Sequence, residues 1–314
     1  MINKNEHILI TGGGGFIGSH LVEFLLKKGY LYIYSLDRNI TNKNNIEGCT
    51  YIRGHLSNFD ELLELFKLYK FNYVFHLAGN SDVGFSDKFP FLDFESNAFC
   101  TLNLFKVADI VGVKKIIFTS SAAVYGQPEF VPVTENHPLN PVSNYAVSKL
   151  YGEKLAIMFN KSYNVRSTVV RIFSTYGPRQ PRYILFDLLR KLNKNPFQIN
   201  MLGTPDTVRD YIYVEDTVRA FYEIMISEGT NGEVFNLSGG NPIKIIDFIS
   251  LVCEIMGINP DINFSNESWK GDIKIFNADI SKLKSVTGFV PTVSLREGII
   301  NTVNYFKEFN FNSI

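Results

Sequence analysis

The first half of the chain alternates short apolar runs with amphipathic stretches. His7–Thr11 reads as a strand that runs into a cluster of glycines. A helix follows over Ile17–Lys28, with Ile17, Leu21, Phe24 and Leu25 on one side. The same reading places strands at Leu31–Leu36, Thr50–Arg53, Tyr73–His76, Lys115–Ser120 and Ser167–Ile172. It places helices at Phe59–Lys70, Asn97–Val111 and Tyr145–Asn160. Apolar strands alternating with helices predict an α/β fold, a doubly wound parallel sheet covered on both faces.

After residue 172 the rhythm changes. Loops lengthen, punctuated by Pro178, Pro181, Pro196, Pro205, Pro242, Pro260 and Pro291. Phe235–Leu237 still reads as a strand and Ile246–Met256 as a helix. No low-complexity linker or repeat separates the parts, so the second is expected to pack on the first. The cleft between them is the expected ligand site.

Composition narrows the function classes. The 314 residues carry 31 Lys+Arg and 31 Asp+Glu. The zero net charge argues against a nucleic-acid surface or a polybasic membrane patch. With 45% hydrophobic residues and 27 Phe, the chain can build a substantial core. At roughly 150 residues per domain the length allows about two domains. Cys49, Cys100 and Cys253 are far apart and form no CxxC, so neither a disulfide framework nor a zinc site is expected. No two His have metal-ligand spacing, so no metal is expected. No apolar run reaches the ~18 residues of a membrane span. A reduced, cytoplasmic, soluble protein is the expectation.

The glycine cluster carries the first chemistry. Gly12, Gly15 and Gly18 give GxxGxxG, while Gly13, Gly15 and Gly18 give GxGxxG. Both serve one physical need: backbone N–H groups approach a pyrophosphate at a helix N-terminus, and the last glycine seats that helix on the sheet. Asp37 ends the second strand about 20 residues on, where a carboxylate accepts from the adenosine ribose hydroxyls. It would repel a 2′-phosphate, which favours NAD over NADP. Arg38 beside it is a mild counter-signal.

A second constellation lies further along. Tyr145 and Lys149 stand at i and i+4 of one helix, so the ammonium lies near the phenol and favours its ionised form. Tyr145 is thereby a candidate general base for a sugar hydroxyl. An exposed Tyr/Lys pair on an amphipathic helix is the bland alternative. Ser120 and Ser121 end the strand Lys115–Ser120, and strand C-termini are where open α/β sheets bind ligands. A Ser hydroxyl there can bond a substrate oxygen and relay its proton; a turn or capping role is the alternative.

Together these segments resemble the extended short-chain dehydrogenase/reductase family, in its branch of NAD-dependent nucleotide-sugar epimerases and dehydratases. The resemblance rests on TGGGGFIGSH (11–20), HLAG (76–79), NAFCTLNL (97–104), TSSAAVYG (119–126), YAVSK (145–149), RIFSTYGPRQ (171–180), RDYIYVED (209–216) and ADISKLKSVTGFVP (278–291). It implies a Rossmann-type NAD-binding domain over residues 1–172 plus about 207–237. A smaller C-terminal α/β region, about 173–206 and 238–314, would bind a nucleoside-diphosphate sugar. The implied catalytic residues are Ser121, Tyr145 and Lys149. The implied cofactor set is Gly12, Gly15, Phe16, Ile17, Gly18, Asp37, Arg38, His55, Leu56, Leu77, Ala78 and Phe173, with Tyr145 and Lys149. The implied substrate set is Ser121, Ser174, Arg179, Arg209 and Asp272; the planar fork of Arg209 suits a diphosphate.

The resemblance implies hydride transfer from sugar C4 to NAD while Tyr145 removes the O4 proton. Return of the hydride to the other face gives the C4 epimer. A C4 dehydrogenase or reductase acting through the same 4-keto sugar is the alternative; a non-catalytic NAD-binding protein is a third reading. Family 4,6-dehydratases carry acidic groups just after the position of Ser121. Here Ala122 and Ala123 stand there, and methyl groups exchange no protons. No Cys stands nearby, as a 3,5-epimerase would show. Three departures touch the ligands: His55 where an Asp is usual, Ser174 where an Asn is usual, and an altered approach, Gly203–Val208, to Arg209.

Remaining residues receive plainer readings. His20 and His76 are read as structural, His7 and His137 as surface or loop residues, and Trp269 as packing. Phe105, Val107 and Ile110, with Leu150, Leu155 and Met158, offer apolar helical faces. In this family two such helices form a homodimer; burial on the sheet is the alternative.

Overall fold

The computed structural model describes residues 2–40, 44–267 and 273–307, so Trp269 and Asp272 lie outside the described residues. Strand β1 (His7–Thr11) leads through a glycine turn into α1 (Phe16–Lys27), then β2 (Tyr32–Asp37) and β3 (Cys49–Arg53). Helix α2 (Phe59–Tyr69), β4 (Tyr73–His76), α3 (Val83–Lys88) and α4 (Pro90–Phe94) follow. One turn of π-helix, Glu95–Phe99, joins α4 to α5 (Cys100–Val111). Then come β5 (Lys115–Ser121), α6 (Asn144–Ser162), β6 (Ser167–Ile172) and β7 (Ser174–Tyr176). The rest comprises α7 (Ile184–Lys194), β8 (Gln198–Met201), β9 (Val208–Tyr213), α8 (Val214–Ile226) and β10 (Val234–Leu237). It ends with β11 (Pro242–Lys244), α9 (Ile245–Met256), β12 (Asp261–Phe264), α10 (Ser281–Thr287) and α11 (Leu295–Lys307).

Seven strands pair in the order β10-β6-β5-β4-β1-β2-β3, every pairing parallel. The order reverses beside β1, which opens a crevice at the carboxyl ends of the strands. Alternation along β1 builds the two core layers. Ile8 and Ile10 pack with Leu21, Leu25 and Phe221 on the α1/α8 face. Leu9 packs with Phe66, Leu104 and Phe159 on the α2/α5/α6 face. The smaller region holds a three-stranded sheet, β11-β9-β7, and the pair β12-β8. Its own core includes Leu188, Tyr211, Phe248 and Ile299. No helix among the described residues is long and apolar enough to cross a membrane.

The structure redraws three expectations. Residues 208–213 do not join the large sheet: β9 pairs parallel with β7 and antiparallel with β11. Conversely, Leu283 of α10 and Phe289 pack into the large sheet's core. The apolar helix faces, open to either an interface or burial on the sheet, divide between core and surface. Phe105, Val107 and Leu155 are buried against the sheet, while Ile110 and Met158 are exposed. The residues left outward are Phe91, Phe94 and Phe99 beside α4 and α5, and Val147, Tyr151 and Met158 on α6.

A buried ion pair ties α6 to the sheet directly under the site. Arg171 of β6 donates from Nε and Nη2 to Glu153 of α6, at 2.9 and 2.8 Å. Ser120 donates to the same carboxylate at 2.5 Å, and Arg171 Nη1 donates to Tyr125 Oη at 2.9 Å. Every group in the set is more than nine-tenths buried. Removing one partner strands a charge in a low-dielectric interior. Arg171→Leu is expected to cost about 3–5 kcal/mol in urea unfolding; a loss under about 1 kcal/mol would show that Glu153 finds another partner.

Candidate active site

The site is built at the carboxyl ends of β1, β4 and β5. Gly12 has φ +76°, a conformation open to glycine, and turns the chain from β1 toward α1. A Cβ on Gly18 would run into the Gly12 carbonyl oxygen and the Gly13 backbone. The helix therefore sits on the turn itself, and its first N–H groups face the crevice. Crowding does not choose between the two glycine spacings: a Cβ on Gly12 would meet the Ala78 backbone at 3.0 Å, one on Gly13 would run into the Ser35 side chain, and Gly15 has one neighbour at 3.1 Å, the Gly12 carbonyl.

Two adjoining cavities occupy the crevice. One, about 560 Å³, runs along the glycine turn and the ends of β2, β3 and β4. The expected cofactor residues Gly12, Gly15, Phe16, Ile17, Gly18, Asp37, Arg38, His55, Leu56, Leu77, Ala78 and Lys149 line it. Tyr145 and Phe173 instead line the second cavity, about 780 Å³, with Ser121, Ser174 and Arg209. The smaller cavity fits a dinucleotide on three observations. The glycine turn leaves no room for a side chain at Gly13 or Gly18. Asp37 stands at the rim, accepting from Gly14 N–H at 3.1 Å and from the Ser35 hydroxyl. Burial pushes the Asp37 carboxyl pKa up, against those two hydrogen bonds. Deeper in, Asn97 is buried, and its Oδ1 has no hydrogen-bond partner, so an acceptor stands ready beside the cavity. His55 holds its place through contacts of Nδ1 with Ser57.

The candidate catalytic groups converge where the cavities meet. Ser121 caps the short 3₁₀ turn Ala122–Tyr125, its Oγ accepting from Ala123 N–H at 3.2 Å. The capping alternative for this serine is thus real, and it coexists with a hydrogen bond to Tyr145. Ser120 points the other way, into the Glu153 pair. Tyr145 is buried, which pushes its phenol well above the usual range, while the bond from Ser121 pulls it down. Lys149 donates to the Thr119 carbonyl at 3.0 Å. Burial lowers its pKa to about 8, opposed by the charge of Asp93. Lys149 stands one turn after Tyr145 on α6, and the cation that acts on Tyr145 is Arg182, which pulls the phenol down. Beside Ser121 the cavity wall carries the methyl groups of Ala122 and Ala123.

Arg209 lines the larger cavity, donates from Nη1 to the carbonyls of Val208 and Ile273, and lies 5.5 Å from the Phe276 ring centroid. Arg179 corrects the expectation. Its backbone has φ +68°, and its guanidinium turns onto α1, pairing with Glu23 at 2.5 Å and Ser19 at 3.3 Å. It lines neither cavity. Asp272 lies outside the described residues. His20 and His76 sit in structural surroundings. His20 is buried and bonds the Pro178 carbonyl; burial lowers its pKa to about 4. His76 is buried between Thr11 and Thr101, and burial with the Lys149 charge holds it at about 3. His7 is half-buried, with Nδ1 2.6 Å from the Tyr69 carbonyl oxygen. His137 is in a loop but buried, packed on Tyr125 and Phe130.

Sequence reasoning missed two groups. Ser81, Gln180, Arg182 and Tyr183 line both cavities. Tyr183, at φ +72°, donates to the Ser81 carbonyl at 2.6 Å, and Arg182 bonds the Ser81 hydroxyl. A tyrosine in left-handed backbone leaves no trace in hydrophobic periodicity. The other group is Asp93 with Asn97. Asn97 lies in a quoted motif, yet only the π-turn shows how it reaches the site.

Comparison with known proteins identifies the family. Residues 8–238 match the model of the NAD dependent epimerase/dehydratase family. The putative UDP-glucose 4-epimerase of Methanocaldococcus jannaschii is 31% identical, over 96% of this chain and 99% of its own length. The UDP-glucuronate 4-epimerase of Thermodesulfobacterium geofontis is 31% identical, over 96% of both chains. The crystal structure of Thermotoga maritima UDP-glucose 4-epimerase with UDP-glucose superposes with TM-score 0.91 at 31% identity, covering 96% of this chain and 99% of that one. With a glycine turn, a rim carboxylate and a Ser–Tyr–Lys cluster in one crevice, and a family match over most of its length, the chain belongs to the NAD-dependent epimerase/dehydratase family.

Proposed function

We propose that the protein is an NAD-dependent 4-epimerase of a UDP-sugar. One observation carries the reading: Ser121 and Tyr145, joined by a hydrogen bond, line a cavity with Arg209 and two alanines, and Lys149, one turn on along α6, lines the adjoining dinucleotide-sized cavity. The relatives supply the nucleotide and the sugar carbon, being UDP-sugar 4-epimerases by name. NAD, when bound, supplies the acceptor and later the donor of the C4 hydride. Tyr145 accepts the O4 proton as the C4–O4 bond becomes a carbonyl, and Ser121 holds O4 by hydrogen bonding. The Lys149 ammonium favours the phenolate that exists before this transfer and again once the proton has returned. The proton then returns from Tyr145 to O4 of the epimer. Ala122 and Ala123 offer no acid or base at C6, so elimination of water has no catalyst there. The C4 dehydrogenase alternative is not favoured by the relatives, and the intact Ser–Tyr–Lys set disfavours a non-catalytic role.

The proposal extends to assembly and place. Phe91 is 88% exposed, and Phe94 and Phe99 stand beside it; Val147, Tyr151 and Met158 extend the patch along α6. The rings of Phe94 and Tyr151 lie 6.2 Å apart, so the two helical segments share one apolar face. Such a face calls for a partner, and a second copy making a four-helix contact satisfies it. The enzyme is read as a cytoplasmic homodimer.

Two measurements follow. NMR of UDP-glucose, UDP-galactose, UDP-glucuronate and UDP-galacturonate with the enzyme is expected to show C4 inversion of at least one. Tyr145→Phe should lower that rate roughly 10²–10⁴-fold with NAD still bound; no inversion of any sugar contradicts the reading. For assembly, Phe91→Asp with Phe94→Lys is expected to halve the mass seen by sedimentation. An unchanged mass would place the interface elsewhere.

A further inference from the structure

A fully buried carboxylate stands behind the catalytic residues, and the reaction as described does not use it. Asp93 lies on α4 with no solvent exposure. Its Oδ1 accepts from Asn80 Nδ2 at 2.8 Å and from Asn97 Nδ2 at 2.9 Å. Its Oδ2 accepts from Ser148 Oγ at 2.8 Å. All three donors are neutral, so the charge is held in place without being cancelled. Ser148 is the residue before Lys149 on α6. Asn97 approaches Lys149 from the other side, with Gly79 between them. A Cβ on Gly79 would collide with Asn97 Oδ1 and lie 3.7 Å from Lys149 Nζ.

The placement has a direct consequence. Burying an ammonium costs several kcal/mol unless a counter-charge offsets it. Lys149 Nζ donates directly to the Thr119 carbonyl, a dipole only. We propose that Asp93 is a positioning residue for the catalytic group, the buried counter-charge that keeps the Lys149 ammonium protonated behind Tyr145. The other groups facing the pair do not take this role. His76 of β4 is uncharged at neutral pH, and Phe118 of β5 offers Lys149 only its ring, 5.5 Å from Nζ. Glu153 of α6 is committed to Arg171. Tyr183 and Arg182, from the segment before α7, face Tyr145. Asp93 acts on both members: its charge raises Lys149 from the low value burial imposes and opposes ionisation of Tyr145. It therefore keeps the lysine charged, while the Ser121 bond and the Arg182 charge act on Tyr145 in the opposite sense.

The inference rests on the roles given above to Tyr145 and Lys149, so its test does not depend on turnover. Protein carrying ¹³Cε-labelled lysine is titrated by NMR with NAD bound, the Lys149 signal being assigned by its loss in Lys149→Met. In Asp93→Asn the Lys149 midpoint is expected to fall by about one pH unit or more, and the high-pH limb of the turnover profile with it. Asp93→Glu, which keeps the charge, is expected to stay near the wild-type midpoint. Asp93→Ser gives the same neutral substitution should the Asn variant fail to fold. An unchanged midpoint in a folded neutral variant overturns the proposal, as does an equal fall in Asp93→Glu. Absence of epimerisation in the wild type would instead overturn the catalytic reading and leave the titration to decide this one.

Discussion

A lysine ammonium held out of water behind a tyrosine is the constraint on which the site depends. Burial alone drives Lys149 toward the neutral form, and a neutral lysine gives the phenol no help. Tyr145 has the opposite difficulty, because burial keeps its proton on. The fold answers both with fixed partners: the Thr119 carbonyl and the Asp93 charge for the lysine, and the Ser121 bond for the tyrosine. Such partners act without reorganising during the reaction, which is where enzymes gain most of their electrostatic advantage.

That arrangement demands close packing around it. Gly79 is wedged between Asn97 and Lys149 where no side chain fits. The π-turn at Glu95–Phe99 carries Asn97 to the cavity, and its side chain donates back to Asp93 one turn earlier. Beneath the serines, Glu153 and Arg171 bind α6 to β5 and β6, so the helix bearing Tyr145 and Lys149 cannot slide relative to Ser121. The zero net charge of the chain gains meaning here. There is no overall basic excess to draw in anionic ligands, so the proposed function gives their capture to the glycine turn and to Arg209 in the cavity wall.

Features encoded locally were legible in the sequence. The strand β1, the glycine turn and Asp37 declare themselves through period, backbone freedom and spacing. The i, i+4 relation of Tyr145 and Lys149 follows from helix geometry. What escaped depends on contacts between distant segments or on single backbone angles. Arg179 reads as a substrate ligand until its left-handed backbone turns it onto Glu23. The face of Phe105 reads equally as an interface or as core until α5 docks on the sheet. Residues 207–237 read as one part of the NAD-binding domain, yet β9 pairs with β7 and β11 outside the large sheet. Asp93 carried no signal, since nothing in the pattern of α4 shows that its carboxylate will be buried beside Lys149.

The central claim is that inversion proceeds by removal and return of one hydride within a closed site. A UDP-sugar deuterated at C4, incubated with the NAD-bound enzyme in ordinary water, tests it most directly. The expected product is the C4 epimer with its deuterium retained and no exchange into added NAD. Inversion with loss of deuterium to water would contradict it, because the C4 hydrogen would then leave as a proton and the Ser121, Tyr145 and Lys149 assignments would fail together.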